Sequence, residues 1–234
     1  MKCAKHCLMG VIMSLLVGIG PSVLPASAQD MEKPKPAVPE IFTITGEFVR
    51  IAYNNEGFCT LGYRVANDSV ADEWLLLEMG ATLQKGVKNY TLKREHLSLM
   101  MPNGATIGLA TQEEFTAANR LPALNRRASL VRDSINYFPV SANQACTMNF
   151  FADPTVPGRS LAFDQVELSW QRACRGRIFF HVPDGIETGQ YFLNVKFENS
   201  IVQVPFRILT KAEEKRFRKE WKDLKNEHDA EYRQ

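Results

Sequence analysis

Gly189-Gln190-Tyr191-Phe192-Leu193-Asn194-Val195-Lys196-Phe197, Glu198-Asn199-Ser200 and Ile201-Val202-Gln203-Val204-Pro205-Phe206-Arg207-Ile208 form the stretch on which the fold class rests. Tyr191, Leu193, Val195 and Phe197 recur at every second position, and so do Val202, Val204, Phe206 and Ile208. A period of two puts one set of side chains on one face of a strand. Glu198-Asn199-Ser200 supplies the turn between the two strands. Pro205 has no N–H to give to a ladder, so the second strand belongs at a sheet edge or a bulge.

The same pattern continues upstream. Ile178, Phe180 and Val182 share parity with Cys174; Val166, Leu168 and Trp170 form another alternating set, and Cys146–Phe151 a further strand. Leu97, Leu99 and Met101 run into Pro102-Asn103-Gly104, which marks a hairpin over Leu97–Leu109. Trp74–Met79 is nearly all apolar and suits a central strand covered on both faces. Cys59–Val65 and Phe48–Tyr53 complete the series. Between the β halves, Thr111-Gln112-Glu113-Glu114 has the spacing of a capping box and starts a short helix that should stop near Leu121. A second helix is expected over Ala123–Ile135, with Leu124, Ala128, Val131 and Ile135 on one face. The expectation is a mainly β antiparallel sandwich over 41–209, with a helical insertion at about 111–136.

Thr188-Gly189-Gln190-Tyr191 resembles the tyrosine corner of immunoglobulin-like domains. Gly176–Pro183, with Tyr191–Ile208 after it, is similar to the closing strands of secreted bacterial immunoglobulin-like domains of unknown function. The resemblance implies an immunoglobulin-like sandwich and a tyrosine hydroxyl bonded back to an upstream backbone group. The Cys…Trp…Cys framework of antibody domains is absent. Such folds host many unrelated activities, so the resemblance implies no function.

The N-terminus carries the zones of a secretory signal over residues 1–28. Lys2, Lys5 and His6 precede the apolar run Leu8–Ile19, and Ala26-Ser27-Ala28 offers small residues for cleavage before Gln29. Twelve apolar or small residues are too few to cross a bilayer, which takes about 20. Cleavage near Ala28 into the periplasm or the medium is the expectation. Residues 29–40 hold three prolines between Pro34 and Pro39 and read as an extended linker. Removing Lys2 and Lys5 leaves 26 basic and 26 acidic residues. A neutral chain gives no reason to expect nucleic-acid binding.

Export also permits a disulfide. Cys59, Cys146 and Cys174 remain after cleavage. Cys59 alternates with core residues, while Cys146 and Cys174 flank strand-like segments and are the favoured pair.

Thr210-Lys211-Ala212-Glu213 is a second capping box, opening a charged helix over 210–234. Of its last 24 residues, 15 are charged. Phe217, Trp221, Leu224 and His228 form a narrow apolar stripe. The stripe either packs on the sandwich or, with Arg218 and Lys222, contacts another envelope protein. The interspersed acids argue against a membrane surface.

Groups that could carry chemistry are sparse, and neither catalysis nor a cofactor is expected. His96 and Met100, with Met101 and Met148, could form a soft copper(I) site, although Met101 has core parity. Arg172, Arg175 and Arg177 crowd around Cys174. They read either as a solvated positive strand edge or as a bidentate anion site. Cys59 or Cys174 with His181 would be a nucleophile and base only if the fold joined them.

Overall fold

A computed structural model describes residues 41–118, 121–152 and 161–231, with side chains left aside at 41–46, 121 and 224–231. The chain forms β1 (Ile41–Gly46), β2 (Val49–Tyr53), β3 (Gly57–Gly62), α1 (Arg64–Asn67), β4 (Trp74–Leu83), β5 (Tyr90–Lys93), β6 (Leu97–Met100) and β7 (Thr106–Gly108). The insertion helices α2 (Gln112–Ala117) and α3 (Leu121–Val131) follow. Then come β8 (Gln144–Thr147), β9 (Gln165–Leu168), β10 (Arg172–His181), β11 (Gly189–Lys196), β12 (Ile201–Ile208) and α4 (Lys211–Glu231).

Three sheets form among the described residues. A six-stranded sheet runs β1-β2-β3-β4-β10-β8, a four-stranded one β12-β11-β6-β7, and β5 pairs with β9. Every pairing is antiparallel except that of β8 with β10, which is parallel. β12 carries Pro205 and does lie at a sheet edge. The hairpin at Pro102–Gly104 forms as its sequence demands. Gly104 takes φ +84°, and Met101 N–H donates to Ala105 O at 2.8 Å.

The core lies between the two larger sheets. Leu75, Leu77, Met79 and Ala81 of β4 face Phe180, Ile178, Gly176 and Cys174 of β10 in register, and β12 crosses over β2 and β3. Aromatic rings connect the layers in a column. Phe217 of α4 lies 5.7 Å from Phe48, Phe48 is 5.4 Å from Tyr63, Tyr63 is 5.3 Å from Phe206, and Phe206 is 5.4 Å from Tyr191. Each such pair adds roughly 0.5–1.5 kcal/mol beyond the area it buries.

β4 is buried at all ten positions, because its second face is covered too. Phe115 of α2 meets Phe179 and Phe151 at 4.7 and 4.8 Å. Ile135 and Phe138 lie over Gly62 and Gly80. The Arg94 guanidinium ties this cover down, donating to the backbone oxygens of Phe150 and Ala110.

Several boundaries differ from those expected. α3 ends at Val131, so Ile135 belongs to the non-helical segment after it. β3 stops at Gly62, and Tyr63 opens the turn of α1 although its apolar alternation continues. β1, β5 and the second half of β4 were not expected, and the pairing of β8 departs from a wholly antiparallel plan.

Candidate functional site

A cleft of about 640 Å³ opens on the second face of the six-stranded sheet. β10 and β8 give one wall through Arg175, Gly176, Arg177, Ala145, Cys146 and Thr147. Residues 132–135, which leave α3, give the other, and Glu78 of β4 lies at the base.

Strand parity sets the charge pattern. Arg175 and Arg177 are two apart, so both project from the face opposite Cys174. β10 sits between β4 and β8, so these arginines do not guard a sheet edge. Arg177 stands opposite Glu78 in register, with Nε 3.6 Å from Oε1. Its guanidinium also donates to Asn125 Oδ1 at 3.1 Å and Ser129 Oγ at 3.0 Å. Glu78 is only 7% exposed. Burial pushes its carboxyl above the usual range, and the charges of Arg177 and Arg132 oppose that rise. Asp133 turns away to Arg64, which grips it at 2.9 and 2.8 Å and reaches Glu47 at 2.5 Å. These two carboxylates outweigh the burial of Arg64 and hold its charge firmly.

A disulfide braces one wall. Cys146 and Cys174 are paired in register across the parallel strands and bonded, with Cα atoms 4.1 Å apart. The favoured pairing is therefore present. Cys59 is fully buried in the core. Cys174 is consumed by the bridge, and His181 instead stacks on Trp74 at 5.0 Å. Arg172 leaves the other two arginines and pairs with Glu167 at 3.4 Å.

His96 and Met100 lie at opposite ends of β6. His96 Nδ1 is engaged by the Tyr90 hydroxyl at 2.8 Å and by the Lys93 N–H at 3.2 Å. Burial lowers the imidazole pKa, with Glu95 opposing. Met148 is buried beside Gly176 in the other sheet, so the structure does not gather these groups.

The root of α4 is a second polar junction. Thr210 and Glu213 exchange capping bonds, Glu213 N–H to Thr210 Oγ1 at 3.2 Å and Thr210 N–H to Glu213 Oε2 at 2.9 Å. Phe217 packs on Phe48, and Arg218 sits 3.6 Å from Glu47 and 2.7 Å from Glu214. Trp221 is half-buried and Lys222 exposed, while the Leu224 side chain lies outside the described residues.

Sequence reasoning missed Glu78, Arg132, Asp133 and Asn125. A signal existed for the first: a lone glutamate inside an apolar central strand needs a cation across the sheet. Among the described residues no helix is long and apolar enough to cross a membrane. No family model, curated protein or solved structure matches the chain.

Proposed function

We propose that the protein is a non-catalytic binding or scaffolding domain of the cell envelope, secreted or periplasmic, with an immunoglobulin-like sandwich at its centre. It contacts an envelope protein through α4. The export signal at residues 1–28 and the Cys146–Cys174 disulfide support an oxidising location. The tyrosine corner at Tyr191 supports the immunoglobulin-like reading.

The observation that carries the contact surface is the way α4 is held. Its first two turns are capped and anchored by Phe217 and Arg218, while Lys215, Arg216, Lys219 and Lys222 are exposed. A helix fixed at its root presents the following turns at low ordering cost. The mixed charge fits an acidic protein surface better than a lipid headgroup layer.

Removing residues 219–234 tests this, because the anchors stay in place. Partner capture in an envelope cross-linking experiment should be lost with the melting temperature kept. Capture that persists, with stability lowered, makes α4 a structural element alone. A second reading, small-ligand binding, is favoured by the arginine-lined cleft.

A further inference from the structure

We propose that the cleft between β8–β10 and residues 132–135 binds a small oxyanion, a phosphate- or carboxylate-bearing molecule clasped by Arg132 and Arg175.

Size and charge both point there. About 640 Å³ suits a small metabolite, since ligand sites run from roughly 300 to 1,000 Å³. Three guanidiniums and two carboxylates line the cleft. Asp133 is taken by Arg64 in a two-bond pair, and Glu78 by Arg177. Among the described residues, Arg132 and Arg175 have no carboxylate within ion-pair distance; Arg175 has only Asn136 Oδ1, at 3.5 Å. The cleft therefore holds two guanidiniums that no carboxylate on its walls pairs directly, Arg132 acting on Glu78 only through space, and the planar fork of arginine suits bidentate oxyanion recognition.

Placement adds to this. Arg175 comes from β10 and Arg132 from the facing segment, so an anion between the walls meets a fork from each side. The Cys146–Cys174 bridge and the Arg177–Asn125–Ser129 bonds fix the walls beforehand, which reduces the ordering cost of binding. Ser134 and Thr147 add hydroxyls that can donate to an oxyanion. The site does not depend on α4 and stands or falls apart from it.

Calorimetric titration of the signal-free chain tests the proposal, with pyrophosphate in one arm and citrate in the other, in buffer free of both. At least one probe should saturate a single site in the millimolar range or below and raise the melting temperature. The tighter probe tells whether phosphate or carboxylate is the preferred group. R132Q and R175Q should each weaken binding about tenfold, and the double variant should lose the thermal shift. R172Q, outside the cleft, should bind as the unaltered protein does. Both tested arginines are exposed, and unchanged melting of the free variants shows that folding is kept. If neither probe saturates, or if the double variant binds as well as the parent, the proposal is overturned.

Discussion

The Tyr191 hydroxyl donates to the Glu187 carbonyl at 2.9 Å and accepts from the Glu187 N–H at 3.1 Å. One side chain thus satisfies both backbone groups of a residue four positions upstream. It locks the bend from Gly185 to Gly189 onto the start of β11. The ring is 1% exposed and stacks on Phe206, so the corner is also the inner end of the aromatic column. Burial raises the phenol pKa, with the Glu187 backbone opposing.

Tyr191→Phe keeps the ring and removes both bonds. It should cost roughly 1–3 kcal/mol, because the Glu187 groups lose a partner in a half-buried bend. Urea unfolding should show a lower midpoint with the slope unchanged. An unaltered midpoint would mean that water replaces the hydroxyl at no cost.

The disulfide closes a separation of 28 residues, and loop-closure entropy at that length corresponds to about 3–4 kcal/mol. Cys146→Ser/Cys174→Ser, or reduction of the parent, should lower unfolding stability by up to that amount. Peptide mapping of the oxidised chain should recover Cys146 joined to Cys174. In Cys59→Ala the oxidised and reduced forms should still differ as they do in the parent.

Much of this frame could be read from the residues, and the exceptions have physical causes. Tyr191–Ile208 was legible because each strand buries one face and leaves the other polar. The end of β3 was not. Val65 and Ala66 are as buried in a helical turn as they would be in a strand, so burial alone does not separate the two. β8 beside β10 was hidden because parallel neighbours need a long crossover, and the crossover here contains β9, which pairs elsewhere. The cleft was half legible. Parity places Arg175 with Arg177, but Arg132 arrives from a segment whose path depends on where α3 stops.

Two carboxyls should give pH dependence of opposite sign. At the α4 cap, the Thr210 N–H, then Arg207 and the Thr210 hydroxyl, hold Glu213 down to about 2. A depressed carboxyl contributes stability above its ordinary value near 4.5 and loses it as pH falls toward about 2. Glu78 is raised by burial. Its ionisation therefore disfavours the fold, and the penalty grows as pH climbs from the ordinary value to the folded one. Melting curves between acid and neutral pH should show Glu213→Gln losing its deficit relative to the parent below the ordinary value. Glu78→Gln should gain on the parent as pH rises above that value. The same slope in all three proteins would sink both assignments.

Gly176 and Gly104 should respond differently to alanine, for separable reasons. A Cβ at Gly176 would stand 2.1 Å from the Met148 carbonyl oxygen and 2.8 Å from its Cβ. That carbonyl belongs to backbone pinned beside β10, since Met148 N–H donates to Arg175 O at 2.8 Å. Gly176→Ala must push the chain after β8 off β10, straining the wall that holds Arg175 and the disulfide. Overpacking of this kind costs roughly 1–3 kcal/mol. Gly104 has open space around it but φ +84°, so Gly104→Ala pays only backbone strain, about 1 kcal/mol. Amide exchange separates the two. Gly176→Ala should expose the Met148 amide and loosen the β8–β10 pairing, while Gly104→Ala should affect only the β6–β7 hairpin. Equal protection of the Met148 amide in both variants would show that Gly176 is not needed for the close approach.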